Sequence, residues 1–258
     1  MVSPAELLKQ LLQQTGSDWG DWQRSMVKSE LLLLFRRGII PVYLFITIIY
    51  VTIVSFLSPE EAERVVFLLV FTDVSGIGFF FVGAVMQWEK REGVAHALFV
   101  TPLSPNSFLL LRTGLLSLIS LLVSAMLFLF IAPGPGYFLL LVAVSWLGAI
   151  FFTLLGIGVG SVTEGVNSYF ILAVLVFLPF APAYLSVLGI WWHDLLLLLP
   201  TGAMAALFLR LSGIVPLFGT DPGTSSLPLG LLSWVSLALW IGGAALFGAT
   251  LFKRSLYR

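Results

Sequence analysis

The sequence predicts an all-α membrane protein with six transmembrane helices, and three observations carry that prediction. The chain is 59% hydrophobic and only 10% charged, with 22 Phe and 8 Trp in 258 residues. Its mean hydropathy of +1.05 means more apolar surface than a water-soluble domain of this size can bury. Apolar runs of about 20 residues, the length that crosses a hydrocarbon core of about 30 Å, recur between Pro- and Gly-containing breaks. The 13 basic and 13 acidic residues balance, which argues against a nucleic-acid partner. With no cysteine, disulfides, thiolate metal sites and cysteine nucleophiles are excluded together, and no metal site is expected.

Residues 1–37 read as an interfacial amphipathic region. Ser3 is placed to cap a helix, with Pro4 at its first position and Glu6 closing a capping box. Leu7, Leu8, Leu11 and Leu12 then share a face, and after the break at Gly16 to Gly20, Trp22, Met26 and Leu33 recur opposite Arg24 and Lys28. Such a helix lies in the plane of the membrane surface. Charges and glutamines interrupt any apolar core there, so a cleavable signal peptide is not expected.

Residues 38–258 read as one six-span domain, with spans at about 38–57, 65–87, 108–132, 137–161, 168–190 and 229–252. Ser58-Pro59, Pro102, Pro105 and the run "APGPG" at 132–136 stand where spans should end. A seventh apolar run, "LLLLLPTGAMAALFL" at 195–209, is short and broken by Pro200-Thr201-Gly202. It is expected as a broken, re-entrant helix pair (194–213) on the external side of the membrane, before the last span. With six spans, Lys9, Arg24, Lys28, Arg36, Arg37, Lys90, Arg91, Arg112, Lys253, Arg254 and Arg258 all fall on the side of the termini, leaving Arg64 and Arg210 opposite. The positive-inside rule then makes both termini cytoplasmic.

The loop at 88–105 is therefore expected on the cytoplasmic side. Glu89, Lys90, Arg91 and Glu92 stand in a row, Gly93 follows, and "VAHALFV" places Val94, Ala97 and Leu98 on one helical face before Pro102 and Pro105 end it. A short charged helix suits a docking contact with a soluble partner, and a solvated turn would read the same on spacing alone.

From Glu89 to Pro105, "EKREGVAHALFVTPLSP" resembles the pattern of type 2 permeases of ATP-binding-cassette exporters. In those, a charged cluster, a Gly, a short helix and a Thr-Pro-Leu-Ser follow the second span. The layout of an interfacial helix, six spans and a broken external segment is similar too. The resemblance implies a dimer, homo- or heteromeric, driven by a separate cytoplasmic ATPase that carries ATP and Mg and grips the coupling helix. It assigns ATPase coupling to Glu89, Lys90, Arg91, Glu92, Gly93, His96, Leu98, Thr101 and Pro102. Val94 and His96 depart from the Thr and Glu common in the family, which bears on the polar contacts of that helix. No Lys follows a Gly as a phosphate-binding loop requires, so this chain is expected to bind no nucleotide and no cofactor of its own.

Inside the spans, Asp73 lies about 12 Å from the start of the second span at Val65, where an ionised carboxylate costs a few kcal/mol. It reads either as a pathway residue for a cationic substrate or as a carboxyl bonded to Thr72, Ser75 or a neighbouring helix. Phe79, Phe80 and Phe81 are candidates for an aromatic pathway, and lipid-facing surface would look the same. Gly156 and Gly160 form a G-x-x-x-G pair suited to close helix packing. Trp191 and Trp192 read as interface anchors beside His193. An intramembrane hydrolase is disfavoured because Asp73 has no second acid at depth and His96 and His193 fall at opposite faces.

The tract "FLLVFTDVSGIGFFFVGAV" at 67–85 resembles a drug-exporting subgroup that includes fluoroquinolone permeases, so the expected cargo is hydrophobic drugs or other small amphipathic molecules. Lipid or polysaccharide export, or a channel or scaffold without an ATPase, are the alternatives. Membrane lipids are the remaining expected partner.

Overall fold

The computed structural model describes residues 27–93, 105–131, 135–188, 193–212 and 229–256, and among them every regular element is a helix. The chain divides into two compact units, Met1–Ile48 and Ile49–Arg258. The expected cap at Ser3 and the leucine face at 7–12 lie outside the described residues. In the first unit, α1 (Val27–Arg36) meets α2 (Ile39–Ser55) at a bend of 66°. The bend falls at Gly38, whose φ of +77° is a left-handed conformation that side-chain-bearing residues rarely adopt.

In the second unit, α3 (Pro59–Ser75) starts at Ser58, whose amide and hydroxyl both donate to the Glu61 carboxylate at 3.1 and 2.8 Å. It runs through a six-residue π-helical turn, Gly76–Phe81, into α4 (Val82–Arg91). Next come α5 (Pro105–Ile131), α6 (Pro135–Val162) and α7 (Val166–Phe177). A 3₁₀ turn, Leu178–Phe180, leads into α8 (Pro182–Val187). A second 3₁₀ turn, Asp194–Leu198, precedes α9 (Pro200–Ser212), and α10 (Leu229–Leu256) closes the described chain.

The long helix from Glu61 to Arg91, α5, α6 and α10 are each long and apolar enough to cross a membrane, and α1 with α2 would make a fifth crossing if the bent pair is one span. The expected fifth span at 168–190 is instead interrupted. Pro179 sits in the 3₁₀ turn and Pro182 opens α8, and two residues without amide donors cannot continue one helical ladder. The apolar run at 195–209 forms two short pieces that meet at Leu199-Pro200.

α6 is the hub: it packs against α3, the π-turn, α4, α5, α7, α9 and α10. Its glycines explain how so many neighbours approach. A Cβ on Gly156 would stand 2.7 Å from the Phe79 carbonyl oxygen, and one on Gly160 would stand 3.4 Å from the Gly83 Cα. Backbone thus lies nearly against backbone, which strengthens dispersion contacts where no hydrophobic force separates lipid from protein.

Candidate functional site

Where α4, α5, α6 and α10 end together, a polar cluster forms that the apolar bundle would otherwise exclude. Glu89, in the last turn of α4, forms a two-oxygen ion pair with both terminal nitrogens of Arg112 on α5. Both residues are buried, at 8% and 3% exposure. A buried charge persists only when paired, and the planar guanidinium matches a carboxylate with two parallel bonds. The Arg112 guanidinium also lies 5.2 Å from the Phe108 ring centre, and Phe108 stacks on Phe252 of α10 at 5.8 Å and 13°.

The next residue turns the other way. Lys90 Nζ donates to the carbonyl oxygens of Gly160, Ser161 and Thr163 at 2.9, 2.8 and 2.8 Å. These are carbonyls at and just beyond the end of α6, which have no intrahelical partner, and a cation there also complements the negative end of the helix dipole. Gln87 Nε2 adds bonds of 2.8 Å to Gly160 O and Thr163 Oγ1. Arg91 and Glu92 are exposed. Gly93 ends α4 at a φ of +71°, the left-handed C-terminal position where glycine carries no Cβ penalty. Of the four consecutive charges, two are therefore built into the bundle and two face outward. His96, Leu98, Thr101 and Pro102 lie outside the described residues.

Asp73 is buried at 4% exposure, and Ser120 Oγ on α5 donates to its carboxylate at 3.3 Å. Ser117, Ser120 and Ser124 line one buried side of α5, with Ser117 accepting from Trp146 Nε1 at 3.1 Å. Thr72 bonds back to Leu68 O, and Ser75 bonds to Phe71 O, Thr72 O and the Tyr184 hydroxyl, so the Asp73 contact runs to a neighbouring helix. If this bond joins α3 to α5, Asp73→Asn should keep the parental melting temperature, since the amide oxygen still accepts from Ser120. Asp73→Leu should lose about 1–2 kcal/mol of stability in a detergent melt. Equal melting of Asp73→Leu and the parent would refute the joint.

Phe79 is wholly buried, whereas Phe80 and Phe81 are half-buried. The Phe79 ring packs with Phe152 and Phe177, and its carbonyl accepts the Tyr169 hydroxyl. Phe80 stacks on Phe170 at 6.3 Å and 15°. The Tyr169 ring lies over Gly83, where a Cβ would come within 1.8 Å of a ring carbon. Two tyrosines, Tyr169 on α7 and Tyr184 on α8, thus hold the two ends of the π-turn. His193 Nδ1 accepts from Leu195 N at 3.1 Å, capping the second 3₁₀ turn.

Sequence reasoning missed Gln87, Arg112 and the tyrosine pair. Arg112 carried a usable signal: a guanidinium seven residues into an apolar helix requires an acidic partner, and Glu89 and Glu92 were the nearest in sequence.

No known family profile matches the chain. It is 36% identical over 131 residues to two proteins named fluoroquinolones export permease protein, from Mycobacterium tuberculosis strains CDC 1551 / Oshkosh and H37Rv. The match covers 50% of this chain and 55% of each relative, so the chain spans about half the length of the curated relatives it matches. The resemblance to drug-export permeases read at 67–105 thus has independent support. With its long apolar helices, the chain is a multi-pass membrane protein similar over half its length to export permeases.

Proposed function

We propose that this chain is the membrane-spanning permease subunit of an ATP-binding-cassette exporter, working as a dimer with a separate cytoplasmic ATPase. The cargo proposed is hydrophobic drugs of the fluoroquinolone kind or other small amphipathic molecules. The observation that carries the reading is the similarity to the two export permeases, joined to a charged turn that closes a polar cluster tying four helices. In this reading the chain crosses six times, its termini are cytoplasmic, the 194–212 segment is re-entrant on the outer side, and ATP and Mg stay on the ATPase.

Arg91 and Glu92, exposed beside Gly93, are the charges offered to the ATPase, and Glu89 and Lys90 hold the base beneath them. Phe80 and Phe81, half-buried, are the pathway candidates able to meet a substrate, while Asp73 and Phe79 support them from within the bundle.

The test is co-purification with the ATPase subunits of the same cell, alongside fluoroquinolone uptake into inverted vesicles. Arg91→Glu with Glu92→Lys should weaken ATPase association by about tenfold, the effect of reversing rim charges at a contact, while membrane insertion is unchanged. A reporter after Arg258 should read as cytoplasmic in the same cells. A parent chain that co-purifies with no ATPase and moves no compound would sink the reading in favour of a channel or scaffold.

A further inference from the structure

Two bonds leave adjacent residues of α4 in opposite directions, and they differ in how easily they can be undone. The Glu89–Arg112 pair is buried on both sides, so no water stands ready to replace either partner. Lys90 is only half-buried, so water can reach its ammonium directly, although its three acceptors belong to the buried residues Gly160, Ser161 and Thr163 at the end of α6. Beside them Glu164 is exposed, and its charge acts on Lys90, offering the ammonium a second partner at the solvent edge.

The turn that Lys90 holds is short. α6 ends at Val162 and α7 begins at Val166, so a grip on the Ser161 and Thr163 carbonyls fixes the junction of both helices. α7 in turn carries Tyr169, which rests on Gly83 and binds the π-turn carbonyl of Phe79. A displacement at the end of α4 therefore reaches α7 by two routes: directly through Lys90 and the 163–165 turn, and along its own helix through Gly83.

We infer that the hold of Lys90, helped by Gln87, on the end of α6 is a releasable clasp that passes movement from the end of α4 to α6 and α7 and opens during transport. Lys90 is a positioning residue here, acting on substrate only through the helices it holds. The inference rests on the permease reading. Glu89 and Arg112 form the fixed side about which the clasp works.

The absence of cysteine allows a clean lock. A Cβ placed on Gly160 stands 3.5 Å from the Met86 Cβ, inside the range of about 3.5–4.5 Å that a disulfide spans. Met86→Cys with Gly160→Cys, oxidised in the ATPase complex in vesicles, should lower transport at least about tenfold while the ATPase stays bound, and reductant should restore it. Transport by the oxidised pair at the rate of its reduced form would overturn the clasp.

A second measurement does not depend on transport or on the double variant folding. In Lys90→Met, hydrogen exchange across residues 160–166 should quicken by about tenfold relative to the parent, and Lys90→Arg should return most of the protection. Unchanged exchange in Lys90→Met would overturn the clasp. If the parent chain binds no ATPase, the permease reading fails, and the exchange measurement alone judges the clasp.

Discussion

Glu89→Leu should accumulate poorly and melt well below the parent, because it leaves the Arg112 guanidinium buried at 3% exposure without its two-oxygen partner. Removing one member of a buried pair costs about 3–5 kcal/mol, a large part of the stability of most proteins. The Phe108 ring beneath Arg112 offers a face but no lone pair, so it recovers only a fraction of that loss. Arg112→Met alone should cost a similar amount, since it takes the guanidinium away from the buried carboxylate instead. Glu89→Leu with Arg112→Met should regain most of the stability, because two apolar side chains of similar volume need no partner. The check is a double-mutant cycle of melting temperatures in one detergent. If Glu89→Leu melts within about 1 kcal/mol of the parent, the buried pair does not hold this end of the bundle.

That placement changes how charge reversal at the loop must be interpreted. Exchanging Glu89 for Lys would set two cations together inside the bundle, so a lost ATPase contact would report a damaged fold rather than a repelled partner. Arg91 and Glu92 are both exposed, so reversing their charges leaves the buried Glu89–Arg112 pair in place. A docking experiment therefore belongs on those two, and a coupling experiment belongs on Lys90.

The ends of the long helices were legible because proline and glycine mark them locally. Ser58-Pro59 opens α3, Pro105 opens α5, and Gly93 ends α4, each by backbone chemistry that needs no knowledge of neighbours. The interruption at Pro179 and Pro182 was written in the same letters, yet hydropathy averaged across it and returned a single span at 168–190. The π-turn at Gly76–Phe81 had no such signature, since a one-residue change of helical register leaves composition and hydropathy untouched. The candidate site was legible by position, not by orientation. A run of four charges says that a turn is near the membrane edge. Which of them turn inward depends on Arg112, 23 residues from Glu89, and on Gly160, 70 residues from Lys90.

Gly202→Ala should disrupt the bundle more than any other single-methyl addition in α9. A Cβ at that position would lie 1.9 Å from the Leu196 carbonyl oxygen and 2.4 Å from its carbon, and these are backbone atoms that no rotamer change can move aside. The carbonyl cannot retreat easily, because it accepts the Leu199 amide at 2.9 Å in the turn that joins the two short helices. Nor can α9 shift as a body: Thr201 is bonded to Phe180 O at 3.2 Å, and Ala203 to Leu209 are all buried. Trp240 on α10 pins the preceding 3₁₀ turn by donating to Leu198 O at 2.6 Å. Overpacking of this kind costs about 1–3 kcal/mol where side chains can adjust, and a backbone overlap stands at or above the upper end. Gly243→Ala on α10 is the matched control, since nothing lies within 4 Å of its added Cβ and alanine is the better helix former by about 1 kcal/mol. Side-by-side melts in detergent should therefore show Gly202→Ala strongly lowered and Gly243→Ala equal to or above the parent. A Gly202→Ala protein that melts with the parent would mean that the 196–202 turn is looser than the structure places it.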